Sequence, residues 1–455
     1  MQVITDLQIH SKYSRAVSPQ MTIPFIWQWA KRKGIGLMAT GDWTHPLWNR
    51  EIKANLEETG NGLLKLKNNE TMKQWNNGEM GPLFLLATEI SSIYSQGGKG
   101  RRIHTLIWAP TLDTADKINK ELIRRGANLY SDGRPIIGLS SIQVAELVFS
   151  IDPKCLIIPA HAWTPWFSMY GSQSGFDSID ECYGQFGENI YAIETGLSSD
   201  PSMNWRIKEL DNRSIVSFSD AHSGPKLGRE ATVFELPELS YKNIREAIMK
   251  PGMDNSQISQ GAKIAFTTEF YPEEGKYHYT GHRDCGVKQT PVETKQKGTT
   301  CPVCGRKLTV GVMHRVEELS GRSEEDLKLK TSEIAGTKLK GIVSALFPNR
   351  PAFIKLVPLQ EIIAEVFGSL PTTQKTQDEY NKLVDNFGSE FKILLETSLE
   401  DITKISGPKI ADALHKVRIG DIFIDPGYDG VFGKVKIWSE EKKEEDSQKE
   451  QMSLF

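Results

Sequence analysis

Long apolar runs are missing. None of the 455 residues belongs to a stretch approaching the roughly 18 that a membrane-crossing helix needs, so no membrane span is expected. The opening residues read as a strand, without the basic-then-apolar pattern of a secretion signal, and the cytoplasm is the expected location. Cysteine is scarce. Five are present; Cys155 and Cys182 sit alone and read as buried free thiols, as in a reducing compartment. Excess charge is absent too, with 55 Lys and Arg against 58 Asp and Glu, so overall charge says nothing about a polyanionic partner. There is no Walker-type phosphate loop, no Gly-x-Ser-x-Gly elbow and no internal repeat, which removes three large enzyme and scaffold classes. Hydrophobic residues still make up 38% of the chain, enough for packed cores, and the length calls for several domains.

Apolar runs of strand character fall at Val3–Ile9, Gly36–Ala39, Leu83–Ala87, Ile103–Trp108, Cys155–Pro159, Ile190–Ile193 and Ile215–Phe218. Helical patterns lie between many of them, over Pro24–Lys33, Asp113–Arg125, Ile142–Phe149, Met203–Asp211 and Tyr241–Met249. Alternation repeated this often predicts a parallel α/β sheet, open or closed into a barrel, up to about residue 265. Asn49–Met80 is too long for a plain barrel connection. Residues 276–312 carry a cysteine cluster and little apolar mass, and 313–434 read mostly as helix.

The strand ends carry the chemistry. His10 follows the first run, Gly41-Asp42 and then His45 the second, Thr88-Glu89 the third; His104 lies within the fourth. Ala160-His161, Glu194 and Ser219-Asp220-Ala221-His222 follow the rest. On the first strand Gln8 and His10 share a face, with Asp6 behind them. In parallel α/β domains strand ends converge on one face. Imidazoles and carboxylates gathered there suit divalent metals, and one carboxylate can bridge two ions. His45, ahead of Pro46, reads as a turn residue.

These motifs resemble the PHP superfamily (polymerase and histidinol phosphatase): Asp6-Leu7-x-x-His10-Ser11, Thr88-Glu89, Ala160-His161 and Ser219-Asp220-Ala221-His222. The resemblance implies a distorted (β/α)7 barrel with metals at the strand ends and phosphoester hydrolysis. It implies His10, Asp42, Glu89, His104, His161, Asp220 and His222 as ligands, with Glu194 a further candidate. Among them Asp220, Glu89 and His161 are the expected catalytic residues. Two to three divalent ions (Zn²⁺, Mn²⁺, Mg²⁺ or Fe²⁺) would sit there. The superfamily pattern is Asp-Leu-His-x-His, and Gln8 replaces its first histidine. An amide oxygen is a neutral, harder ligand than imidazole, so one metal position is expected to bind weakly or to prefer Mg²⁺ or Mn²⁺.

Farther on, His282-x-x-Cys285 and Cys301-x-x-Cys304 form a ribbon-type pattern for one structural Zn²⁺. The spacing favours His282 over His278 as the fourth ligand. From Lys276 to Arg350 there are fourteen Lys and Arg against eight Asp and Glu, a net of plus six. Positive charge therefore gathers around the module, Arg306 and Lys307 included, as phosphate contacts require. Ile402–Ala411 resembles a helix-hairpin-helix turn, with Gly407 and Lys409 placed to meet a phosphate. Ser439–Glu450 is charged throughout and reads as a flexible spacer. After it, Gln451-Met452-Ser453-Leu454-Phe455 resembles the pentapeptide that docks bacterial proteins on the DNA polymerase sliding clamp, with Gln451, Met452, Leu454 and Phe455 as the contacts.

The order of these parts resembles the endonuclease Q family, particularly in Tyr277-His278-Tyr279-x-Gly281-His282-x-x-Cys285, Cys301-Pro302-x-Cys304-Gly305 and Pro426-Gly427-Tyr428-Asp429-Gly430. It implies cleavage of DNA on the 5′ side of deaminated bases (uracil, hypoxanthine, xanthine) or abasic sites, with the base extruded. Trp43, Trp48, Trp163 and Trp166 follow candidate ligands, so Trp43, Trp163 and Trp166 above all are candidates to stack on it. The expected domains are a metal-dependent phosphoesterase barrel (1–272), a zinc module (273–312), a helical DNA-binding domain (313–438) and a clamp-binding tail (439–455). Two rival readings remain. One is a phosphatase acting on a small phosphomonoester. The other is a decayed barrel serving as a DNA-binding clamp adaptor, with Gln8 as its symptom.

Overall fold

A computed structural model describes residues 1–68, 81–249 and 261–438. Eight of the strands in its first part frame the site: β1 Gln2–Asp6, β2 Leu37–Ala39, β3 Leu83–Gln96, β4 Lys99–Ala109, β5 Leu156–Pro159, β6 Ala192–Glu194, β7 Ser214–Val216 and β8 Ala231–Glu235. Hydrogen bonding runs β5-β4-β3-β2-β1-β8, and β6 and β7 pair separately. That pair lies between the two ends of the row. Ala162 N donates to Glu194 O at 3.0 Å, and Thr232 Oγ1 both accepts from Ser217 N and donates to Ser217 O at 3.0 Å. The result is a distorted α/β barrel. Its strands are not all parallel: β4 opposes both of its neighbours and β8 opposes β1. The β3–β4 hairpin explains the first exception. Gly97 and Gly98 both take positive φ, 61° and 72°, as a two-residue turn of this kind demands.

Local chemistry sets the outer helices. Ile23–Lys33 starts with proline in its first turn and ends at Gly34, whose φ of 87° closes the last turn onto Ala30 O and Lys31 O. Ser141–Ile151 opens with a capping box between Ser140 and Gln143. The predicted helix at Met203–Asp211 is instead a short helix, Pro201–Trp205, and a 3-10 turn, Lys208–Leu210. Asn49–Met80 resolves into the end of the helix Pro46–Asn55 and a small hairpin, Leu56–Glu58 with Leu64–Leu66; its remainder, 69–80, lies outside the described residues. Among the described residues no helix is long and apolar enough to cross a membrane.

The stretch 313–438 departs from the expectation of helix. The barrel sheet continues through β9 (Lys263–Glu269) to β12 (Ala352–Lys355), β11 (Lys340–Ser344) and β10 (Leu329–Glu333). Strand β10, Leu-Lys-Thr-Ser-Glu, is exposed at every position, so it has no buried face to imprint a period of two. The helices come after, from Leu359 to Ile419. They dock on the barrel through Glu390, whose Oε2 meets Lys33 Nζ at 2.7 Å with both side chains buried. Removing one partner of such a pair costs about 3–5 kcal/mol.

Behind the barrel lies a second carboxylate, Glu269, on β9. Its Oε1 accepts from Ser217 Oγ at 2.6 Å and from Thr267 Oγ1, while buried Oε2 has no partner. Burial pushes it up to about 7 despite those hydroxyls; Asp200 adds to the rise, and Lys355 opposes it. The folded chain thus holds this proton more tightly than the unfolded chain does. Stability should fall as pH rises from the ordinary carboxyl value of 4.5 through about 7. Glu269→Gln should remove part of that slope. Thermal melts at pH 5 and pH 8 check it: the variant's Tm should drop less than the parent's, and an equal drop would refute the assignment.

Candidate metal centre

Strand β1 runs on past its last ladder bond. Ile9 bridges to Ala221, and His10 N donates to Ala221 O at 3.1 Å. Asp6 fixes this meeting. Its carboxylate accepts from Ser219 N at 3.0 Å, Ser219 Oγ at 2.5 Å and Gly228 N at 2.9 Å, so the loop bearing Asp220 and His222 is tied beside His10. Asp42, His161 and Asp220 have φ of 42°, 32° and 46°. Three non-glycine residues in the left-handed region within one site are a strained arrangement that the surrounding bonds must hold.

Glu89, near the middle of β3, is the hub. One oxygen lies 3.2 Å from His10 Nε2; the other lies 2.6 Å from His104 Nδ1 and 3.3 Å from His161 Nε2. Two donor sets result: His10 with Asp220 and His222, and Glu89 with His104 and His161, the ligand atoms of each within 4.8 Å of one another. His10 Nε2 is 3.1 Å from Asp220 Oδ1. Burial opposes charge on Glu89, yet Arg134 and His104 hold it well below the usual carboxylate range. Burial drives His104 down to about 4, which leaves a neutral imidazole of the kind that ligates a metal.

Gln8 points into the same place. Its Nε2 donates to Glu89 Oε2 at 3.1 Å, and its buried Oε1 has no partner. A buried orphan acceptor among imidazoles and carboxylates calls for a cation, so the donor set fits divalent metal. Two predicted ligands sit one layer back. Asp42 is spent on orientation: Oδ1 meets His10 Nδ1 at 2.9 Å, and Oδ2 accepts from Ser11 N at 2.6 Å, Ser11 Oγ at 2.7 Å and Ser14 Oγ at 2.9 Å. Glu194 accepts from His161 N at 2.5 Å and Gly196 N at 2.8 Å, and burial pushes it up to about 8. A strand-end position alone does not say which way an acid turns. His45 caps the helix Pro46–Asn55 by position and stacks on Tyr13 at 4.5 Å.

Beside His104 and His161 opens an apolar cleft of about 510 Å³. Trp166, Phe167 and Leu197 form its barrel wall, Tyr277 and Phe432 its opposite wall, and Arg102 and Lys276 line it as well. Phe167 O accepts from His104 N at 3.0 Å, and the two rings lie 4.9 Å apart. Gly196 must be glycine here: its φ is 60°, and a Cβ would sit 2.1 Å from that of His161. The stacking candidates divide. Trp166 lines the cleft, edge-on to Tyr277 at 5.5 Å. Trp43 and Trp163 are fully buried. Trp163 stacks on Tyr170 at 4.6 Å and donates to Asn204 Oδ1 at 2.7 Å, so both are core and unavailable to a base. Phe167, Tyr277 and Phe432 had no motif to announce them.

His282, Cys285, Cys301 and Cys304 come together in the module, as a structural Zn²⁺ requires. The rival His278 is buried elsewhere, against the cleft. Asp429 stitches the Pro426–Gly430 loop to the module, accepting from Arg283 N at 2.7 Å and Thr309 Oγ1 at 2.6 Å. Arg306, Lys307 and Lys409 are exposed, and Gly407 turns between two helices with φ 85°.

Asp42→Asn keeps the shape of the site, but with the amide oxygen held by Ser11 N its NH2 faces His10 Nδ1 and can no longer accept the bond that fixes the His10 tautomer. Metal affinity at the barrel should fall about 10–100-fold, read by chelator competition; unchanged affinity would show that Asp42 does not orient His10.

Residues 358–421 match the family described as the MJ0043 C-terminal domain. The chain is 31% identical over 282 residues to the uncharacterized protein MJ0043 of Methanocaldococcus jannaschii, covering 60% of this chain but only 31% of that protein's length. It is 28% identical over 358 residues to the uncharacterized protein YqxK of Bacillus subtilis, covering 77% and 78%. Among solved structures, the lesion-specific endonuclease PfuEndoQ from Pyrococcus furiosus superposes with a TM-score of 0.77 at 30% identity over 97% of both chains. Endonuclease Q in complex with a 27-mer duplex substrate, an abasic lesion at its active site, gives 0.77 at 32% over 97% of this chain and 98% of that one. With such identity along almost the full length, the chain belongs to the endonuclease Q family of DNA endonucleases.

Proposed function

We propose that the protein nicks DNA on the 5′ side of abasic sites and deaminated bases. The observation that carries this reading is the aromatic cleft against His104 and His161. It supplies an apolar, stacking pocket one side chain away from the place where a phosphodiester would be cut. A small phosphomonoester would leave the cleft and the zinc module without a task.

His10, Gln8, Asp220 and His222 would hold one part of the metal cluster; His104 and His161 would hold the other, with Glu89 between. Divalent ions bound there supply an ionised water near neutral pH and neutralise phosphate charge. The chain does the aiming. Asp42 accepts a hydrogen bond from His10 Nδ1, and the Asp220 carbonyl lies 2.8 Å from His222 Nδ1, so the Nε2 lone pairs face inward. Deamination replaces an exocyclic donor with a carbonyl acceptor, and Arg102 and Lys276, which line the cleft, offer donors to it. Arg306, Lys307, Gly407 and Lys409 would track the duplex backbone, where phosphate contacts give affinity without sequence preference.

End-labelled duplexes carrying one abasic site, uracil or hypoxanthine test the reading with Mn²⁺ or Mg²⁺. A nick 5′ of the lesion is expected, lost in Asp220→Asn; cleavage indifferent to the lesion, or none at all, would sink it. Gln451–Phe455 lie outside the described residues, and we further propose that they dock on a bacterial sliding clamp. Deleting them should abolish clamp binding in a pull-down with the clamp while leaving the basal nick rate unchanged.

A further inference from the structure

Arg134 enters the cluster from a segment that carried no functional signal. Its backbone is held on both sides. Ser91 N donates to Pro135 O at 3.0 Å, and Gly133 N donates to Tyr13 O at 3.0 Å. Gly133 passes so close over Asp42 and Ser14 that a Cβ would lie 2.4 Å from Asp42 Oδ2 and 2.3 Å from Ser14 Oγ. The close approach delivers the next side chain onto Glu89. Arg134 Nη1 lies 3.3 Å from Glu89 Oε1 and 3.5 Å from His10 Nε2.

The contact is not that of a permanent ion pair. Arginine bound to a carboxylate for stability uses its fork, with two parallel bonds at about 2.7–2.9 Å. Here one prong reaches Glu89, at 3.3 Å, and the side chain stays 27% exposed. Nε and Nη2 donate to no side chain or backbone group among the described residues. Two donors without a protein partner and a fixed positive charge thus stand beside a cluster built for metal, on a side chain that solvent reaches. A guanidinium matches the oxygens of a phosphodiester in geometry and in charge.

We infer that Arg134 forms an anion subsite for the scissile phosphate, donating from its free prongs to a non-bridging oxygen and holding the phosphorus in line for attack. This rests on the endonuclease reading and adds to it the residue that grips the reacting group. No bond to Arg134 forms or breaks; it orients an oxygen and opposes the charge gathering there.

Arg134→Gln and Arg134→Lys test it in the full chain. Barrel metal content, measured by elemental analysis, should match the parent's in both. The single-turnover nick rate on an abasic duplex should fall about 100-fold or more in Arg134→Gln and recover in part in Arg134→Lys. A second readout needs no turnover: in chelator, the parent should bind an abasic duplex more weakly when the scissile linkage is an uncharged methylphosphonate, whereas Arg134→Gln should bind both duplexes alike. Loss of metal in Arg134→Gln, with its rate restored by excess metal, would show that Arg134 acts only through the charge of the cluster and overturn the proposal. So would methylphosphonate discrimination retained in the variant. Should the parent nick no lesion duplex, the endonuclease reading fails on its own, and the binding comparison still decides Arg134.

Discussion

A fully buried carboxylate between two sets of imidazoles is the constraint on which the barrel's open face depends. Taking Glu89 out of water is costly by several kcal/mol unless positive charge opposes it. Arg134 brings a fixed charge to it from the segment before Ile136, and His10, His104 and His161 bring ring nitrogens from the continuation of β1, from β4 and from the loop after β5. Each approach fixes one wall of the barrel. Metal bound to the same atoms would add the charge that the side chains only partly provide, so occupancy and the shape of this face are linked.

The strain at Asp42, His161 and Asp220 follows from that convergence. A strand directs alternate side chains to one face, but it cannot turn a carboxylate sideways onto a neighbouring strand. The left-handed backbone makes that turn for a carboxylate at Asp42 and Asp220 and for an imidazole at His161, a few residues after β2, β7 and β5 end. The bonds that hold it are buried and numerous: Asp42 accepts four, and Asp6 accepts three from the Ser219–Gly228 loop. Asp6 sits behind the site, and its three bonds anchor the loop to β1 in addition to the bond from His10 N to Ala221 O.

Much of this was legible from one kind of signal. Strand-end His, Asp and Glu residues announce themselves because short apolar runs stop at them, and His10, Glu89, His104, His161, Asp220 and His222 meet as their positions imply. The Cys-x-x-Cys pairing is equally local. What sequence pattern does not carry is direction. Nothing in Gly41-Asp42 says that both carboxylate oxygens face Ser11, Ser14 and His10. Nothing in Trp163 separates a core indole from a stacking one, since an aromatic suits both. Arg134 was invisible because a turn of Ser131-Asp132-Gly133 has no periodicity, and its partners are 45 and 124 residues away. Strand β10 was missed because exposure erased its alternation.

The cysteine module bears on the site through the cleft rather than through the donor sets of the barrel. Tyr277 stands just before the hairpin Thr280–His282 with Val287–Gln289, which carries the first zinc-ligand candidate. Phe432 lies on the loop that closes against the module, where Gly430 N donates to Lys276 O at 2.7 Å and Gly433 N to Glu274 O at 2.9 Å. Gly433 permits this because a Cβ there would lie 2.2 Å from Glu273 O. The wall facing Trp166 and Phe167 is therefore built on a segment with little apolar mass of its own, and such a segment depends on its ligand cluster to hold a fixed shape. Barrel and module each contribute half of a pocket that neither completes alone, so the shape of the cleft beside His104 and His161 is set where the two meet.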